Sequence, residues 1–346
     1  MGGGLPLMRY GHFDPEKREY VIDRVDVPVS WTNYLGVEEL CGVVNHTAGG
    51  YLFYRSPEHH RITRFRPNGV PMDRPGHYIY LRDEETGEFW SVSWQPCGGD
   101  LSCYRCRHGL SYSVYQCDRD GIRAAQTLFI PRGDAVELWD LTLENTSGRE
   151  RRLSVCSYAE FAFHQIPIDN QNFQMSLYCA GSRYEDGIID YQLFYEQAHQ
   201  FMAASFVPDG FDCVRDAFLG PYRTESDPAA VERGECAGSV EKGNNHCAVL
   251  QKKLTLAPGQ KVRLVWMLGE GGLEEGRRIR AKYSDPAAVD AAFAGLARFW
   301  EDKLGRLQVS TPDPEMDTML NTWNLSQSEV NVMFSRFASV IEVGGR

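Results

Sequence analysis

The sequence predicts a mainly β protein, a large antiparallel sandwich with a helical tail. Three observations carry that expectation. Short runs of alternating apolar and polar residues follow one another, divided by Pro-Gly at 75–76, Thr-Gly at 86–87, Gly-Gly at 98–99 and Asp-Gly at 120–121. No helix-period text separates these runs, so neighbouring strands are expected to pair antiparallel rather than through helical crossovers. At Asp285-Pro286 the spacing changes to that of an amphipathic helix and keeps it.

Taken in order, residues 1–7 read as an extension. Strands are expected at 20–22, 78–82, 89–94, 110–116 and 122–130, while the proline in 27–31 confines that run to an edge or a turn. Asp120-Gly121 between two alternating runs is the strongest hairpin signal. The runs 136–143 and 152–163 are expected to pair across 144–150. After an interruption at 164–176, whose last residues overlap the next run, come 173–180, 188–195 and 201–206. The polar stretch 208–245 has little periodicity and reads as a surface excursion. The runs 248–256 and 261–268 flank Ala257-Pro258-Gly259-Gln260 and are expected to close as a last hairpin.

In the tail, Asp285 is a helix N-cap and Pro286 suits the first helical position. Val289, Ala292, Phe293, Leu296, Phe299, Trp300 and Leu304 follow at helical spacing, and Gly305 ends the run. A second helical pattern runs from Met316 to Phe334. Two apolar helices need partners: either the sandwich supplies the surface or the chain is cut short, and the second is the expectation here.

The totals exclude several classes. A net charge of -11 over 346 residues, without a basic run, argues against nucleic acid. No apolar run approaches the ~20 residues of a membrane span, and the start MGGGLPLMRYG lacks the features of a secretory signal. A cytoplasmic protein with ten reduced cysteines is expected. Cys103 and Cys106 have no second pair at zinc spacing. His59 and His60 are adjacent, so on a strand they point to opposite faces. No metal site is expected. There is also no phosphate-binding glycine loop and no nucleophile elbow.

The interruption at 164–176, HQIPIDNQNFQMS, concentrates Asn170, Gln171, Asn172 and Gln174 beside Asp169. Amides both donate and accept, which suits a neutral, hydroxyl-rich partner such as a sugar. Equally, such amides cap their own backbone in a loop. Residues alone leave both readings open.

Several strings carry a family resemblance. They are RYGHFDPEKREYVIDRVDVPVSWTNYLG (9–36), HTAGGYLFYRSPEHHRITRFRPN (46–68), RPGHYIYLRD (74–83) and FWSVSWQP (89–96). DNQNFQMSLYCAG (169–181), FLGPYR (218–223), NNHCAVL (244–250) and SRFASVIEVGGR (335–346) continue in order. The chain resembles the N-terminal portion of the cellobiose phosphorylases, inverting disaccharide phosphorylases of glycoside hydrolase family 94. That resemblance implies a galactose-mutarotase-like super-sandwich (8–280), a helical linker (281–311) and the first helix of an incomplete (α/α)6 barrel (312–346). It implies cleavage of cellobiose or a related β-1,4-glucoside by inorganic phosphate to α-glucose 1-phosphate and glucose, with no cofactor. In the family's homodimers a sandwich loop reaches the partner's acceptor-sugar subsite, a role that falls to Asn170, Gln171, Asn172 and Gln174. Arg346 corresponds to a phosphate-holding arginine. The general-acid Asp is expected beyond residue 346, leaving this chain alone inactive. The alternative is a stand-alone carbohydrate-binding or dimerisation sandwich without catalysis.

Overall fold

A computed structural model describes residues 9–66, 73–171, 178–194 and 198–334. In chain order its strands begin with β1 (Gly11–Asp14), β2 (Glu19–Ile22), β3 (Thr32–Leu35), β4 (Leu40–Asn45), β5 (Gly50–Tyr54) and β6 (Tyr78–Asp83). They continue with β7 (Phe89–Ser91), β8 (Cys103–Gly109), β9 (Tyr112–Arg119), β10 (Ile122–Phe129), β11 (Val136–Asn145) and β12 (Arg151–Tyr158). Last come β13 (Ala180–Glu185), β14 (Ile188–Leu193), β15 (Ala198–Ala204), β16 (Gly210–Val214), β17 (His246–Leu256) and β18 (Lys261–Glu270). All named pairs are antiparallel. A ten-stranded sheet has the order β1-β2-β8-β9-β10-β11-β18-β15-β14-β13, a five-stranded sheet β16-β17-β12-β6-β7, and a three-stranded sheet β3-β4-β5. The mainly β, antiparallel expectation therefore holds.

The centre of the large sheet is buried on both faces, and the alternation of its side chains shows how. In β11, Trp139, Leu141 and Leu143 enter the main core with Leu153, Val155 and Leu250 of the five-stranded sheet. Val136 and Leu138 point the other way, to a second core with helical residues. β18 divides likewise: Leu264, Trp266 and Leu268 on one side, Val265 and Met267 on the other. Strands buried on both faces read as nearly continuous apolar text, as VRLVWML does.

Helices cover the outer face. α1 (Ile166–Gln171), α2 (Arg215–Leu219) and α3 (Ala229–Arg233) are short, whereas α4 (Leu273–Tyr283) and α5 (Pro286–Leu304) form the layer. The N-cap of α5 is as expected: Asp285 accepts from the Ala287 amide at 2.9 Å, and Pro286 opens the helix. Its buried stripe is Val289, Leu296, Trp300 and Leu304, and Trp300 Nε1 donates to Ser111 Oγ at 3.1 Å. Beyond it lie α6 (Pro314–Thr318), one π-helical turn (Met319–Trp323) and α7 (Asn324–Phe334). The sandwich supplies part of their partner surface: Trp323 meets Phe13, and Phe334 packs on Tyr34 and Phe53. Met316, Met319, Leu320 and Val332 are exposed. Among the described residues no helix is long and apolar enough to cross a membrane. All ten cysteines are free thiols.

Several local expectations need correction. The runs joined across 144–150 and across 257–260 are not hairpins. β11 and β18 lie in the ten-stranded sheet, β12 and β17 in the five-stranded one, so both turns carry the chain from sheet to sheet. Turn residues specify that the chain reverses; they do not specify which sheet it joins. Of the two outcomes open to 27–31 the chain takes the turn, with no strand there, whereas 208–245 contains β16, α2 and α3, and 273–283 is helical. The interruption begins as a helix, 166–171, with Pro167 in its first turn. The strand expected at 173–180 starts at Ala180, and residues 172–177 lie outside the described residues.

Asp120-Gly121 does close the β9–β10 hairpin, pairing Arg119 with Ile122. Both turn residues have positive φ, 50° and 75°, the geometry of a type I′ turn. A Cβ on Gly121 would stand 2.8 Å from Ser147 Cβ. Gly121→Ala should cost about 1–2 kcal/mol in urea unfolding; an unchanged midpoint would refute this account of the turn.

Candidate functional site

The segment that carries the amides hangs from a buried network of charges. Residues 61–64 run antiparallel to 160–164: Arg61 N donates to His164 O at 3.1 Å, Ala162 N to Ile62 O at 2.9 Å and Arg64 N to Glu160 O at 2.8 Å. That pairing sets the Arg64 side chain against the start of α1. Its guanidinium forks onto Asp169, Nε to Oδ2 at 3.0 Å and Nη2 to Oδ1 at 2.7 Å. Asp169 Oδ1 also accepts from the Phe163 amide at 3.1 Å, so one carboxylate both pairs with Arg64 and closes the segment on itself. A bidentate fork fixes orientation as well as charge.

The network continues inward. Arg64 Nη1 donates to Asn245 Oδ1 at 3.1 Å and lies 3.6 Å from Glu160 Oε2. Glu160 accepts from Arg215 Nε at 2.8 Å and from the Tyr158 hydroxyl at 2.6 Å. Arg215 in turn reaches Glu225 at 3.1 Å. Burial alone would raise the Glu160 carboxyl, but Arg64 and Arg215 outweigh it and hold it below the usual range. Burial would lower Arg64, and the charge and hydrogen bonds of Asp169 with the charge of Glu160 raise it instead.

A second set of contacts ties the same segment to the turn after β5. Ile166 N donates to Glu58 O at 2.9 Å, His59 Nδ1 lies 3.1 Å from Gln165 Oε1, and the His60 and His164 rings stack 3.9 Å apart. Thus the segment leaves a rigid base on two sides. A contact surface held on such a base loses less entropy when a ligand binds.

The predicted site residues are placed only in part. Asn170 and Gln171 form the last two residues of α1. Asn172, Gln174 and Arg346 lie outside the described residues. The anchoring residues Arg64, Glu160 and Arg215 were not legible as a site, because Arg64 and Asp169 are 105 residues apart. One signal was present: three arginines in RITRFR (61–66), inside otherwise strand-like text. Such arginines are buried only with partners.

Arg64→Met should cost about 3–5 kcal/mol, since it leaves the buried Asp169 carboxylate without its cation. The Arg64→Met/Asp169→Leu double variant should recover part of that loss in urea unfolding. If the single change costs no more than a surface substitution, Arg64 does not anchor the segment.

The chain has clear relatives. The model of the glycosyl hydrolase 94 supersandwich domain matches residues 18–286, and that of the glycosyl hydrolase 94 superfamily catalytic domain matches residues 299–346. The N,N'-diacetylchitobiose phosphorylases of Vibrio furnissii and Vibrio proteolyticus are 52% and 50% identical to it over 345 residues, covering 98% of this chain and 43% of theirs. Solabiose phosphorylase of Paenibacillus borealis is 30% identical over 321 residues, covering 91% of this chain and 42% of its own. The chain therefore spans less than half the length of these relatives. It belongs to glycosyl hydrolase family 94.

Proposed function

We propose that these residues serve in an inverting disaccharide phosphorylase, to which they contribute the supersandwich and the start of the catalytic domain. The observation that carries this reading is the 52% identity to an N,N'-diacetylchitobiose phosphorylase across 98% of the chain. In the reaction a phosphate oxygen attacks the anomeric carbon as the glycosidic C–O bond breaks. A general-acid Asp in the remainder of the catalytic domain gives its proton to the leaving oxygen. Phosphate is nucleophile and co-substrate, so no cofactor takes part.

N,N'-diacetylchitobiose replaces cellobiose as the favoured sugar. Its acetamido groups carry one N–H and one C=O each, which side-chain amides match donor to acceptor. Asn170, Gln171, Asn172 and Gln174 are assigned to the acceptor-sugar subsite, reaching a partner's catalytic domain across a homodimer, and Arg346 to phosphate. The Arg64–Asp169 fork supports this by holding the start of the segment at a defined place.

The complete polypeptide should release N-acetylglucosamine 1-phosphate from N,N'-diacetylchitobiose and phosphate, followed by 31P NMR. Turnover should exceed that on cellobiose by about a hundredfold or more. The reverse preference would restore cellobiose, and no sugar phosphate from either disaccharide would sink the reading. For the segment, Gln171→Ala should raise the acceptor-sugar KM in the synthetic direction while leaving the KM for the sugar phosphate unchanged. An unaltered acceptor KM removes Gln171 from the subsite.

A further inference from the structure

Around His164, two residues before α1, four polar side chains from distant parts of the chain converge. His164 and Gln200 are fully buried. His60 and Glu270 are partly open, with side chains 26% and 19% exposed. One donor atom from each of His60, His164 and Glu270 lies within 4.8 Å of the other two. Gln200 and Glu270 are register partners on β15 and β18, and His60 is brought beside His164 by the Arg61–His164 backbone hydrogen bond. Two neighbouring pairs on a paired backbone form a stiff frame for a small ligand.

Two atoms of this group, His60 Nε2 and Gln200 Oε1, are buried without a hydrogen bond. His60 Nε2 stands 3.0 Å from Glu270 Oε2, yet it is buried and makes no hydrogen bond. Gln200 Nε2 is 2.6 Å from His164 Nε2 and 3.2 Å from Glu270 Oε2, while Gln200 Oε1 is buried without a partner. A half-turn of the Gln200 amide would bring its oxygen toward His164 and Glu270. With no cation present, that oxygen would face a carboxylate and be repelled.

We propose that His60, His164, Glu270 and the Gln200 carbonyl oxygen form a site for one divalent transition-metal cation of the zinc type. A tetrahedral ion with bonds of about 2.0 Å separates its ligands by about 3.3 Å, and His60 Nε2 and Glu270 Oε2 at 3.0 Å already approach that spacing; the Gln200 amide nitrogen, whose place the oxygen takes after the half-turn, is 2.6 Å from His164 Nε2 and 3.2 Å from Glu270 Oε2. Two imidazoles and a carboxylate suit zinc better than magnesium or calcium, which favour all-oxygen sets. The ion satisfies the His60 nitrogen, which is buried without a hydrogen bond. It also staples the turn carrying His60 and the residue leading into α1 to the ten-stranded sheet, a structural role independent of which sugar is cleaved. Sequence spacing gave no sign of it, because residues 60, 164, 200 and 270 come together only through folding.

The test uses metal-free 346-residue protein titrated with Zn2+ by calorimetry, and with Co2+ by visible absorption. One ion per chain is expected, with intense four-coordinate Co2+ bands and a thermal midpoint that rises with Zn2+ and falls back with EDTA. Glu270→Gln and His60→Asn should each weaken binding by about tenfold or more and abolish those bands. Glu270→Gln keeps the test decisive if His60→Asn fails to fold. No Zn2+ binding by the metal-free protein, or binding and Co2+ bands unchanged in Glu270→Gln, would overturn the proposal.

Discussion

Burial of the ten-stranded sheet on both faces is the constraint on which the rest of the structure depends. A wide antiparallel sheet must cover whatever apolar face it presents, and this one presents two at its centre. The five-stranded sheet closes one face, and α4 and α5 close the other. The chain therefore has to pass between sheets, which it does at 144–150 and 257–260. These crossings join β11 to β12 and β17 to β18, and so place the strongest apolar text, in β11 and β18, side by side in the middle.

The charged network sits where that layered core gives out. Glu160 follows β12 and Arg215 opens α2 after β16, so the five-stranded sheet delivers both to one end of the sandwich. Buried ions of this kind stabilise little in themselves, since desolvation offsets most of the attraction. Their value is positional: each carboxylate is satisfied only if Arg64 and Arg215 are where they are. The start of the amide-bearing segment is thereby held at one end of the sheets.

Strand-period text with turn dipeptides was enough to read the class and most strands, because alternation reports burial directly. It failed where one signal serves two outcomes. Pro258-Gly259 marks a reversal whether the chain returns beside itself or crosses to the facing sheet. The helix at 273–283 went unread since its acidic and basic residues leave a narrow apolar stripe of Leu273, Ile279 and Tyr283. Asp285-Pro286, by contrast, was read correctly, because a cap is a local hydrogen bond between neighbours in sequence.

The sequence by itself determined the class, the caps, the Asp-Gly hairpin and the family, all of which rest on residues near one another or on long shared strings. The tertiary structure decided which sheet each strand joins and what holds the amide segment in place. It also decided which histidines meet. The physical reason is distance along the chain. Arg64 finds Asp169, and His60 finds Glu270, only after strands far apart in sequence have paired, and no local periodicity encodes such a meeting.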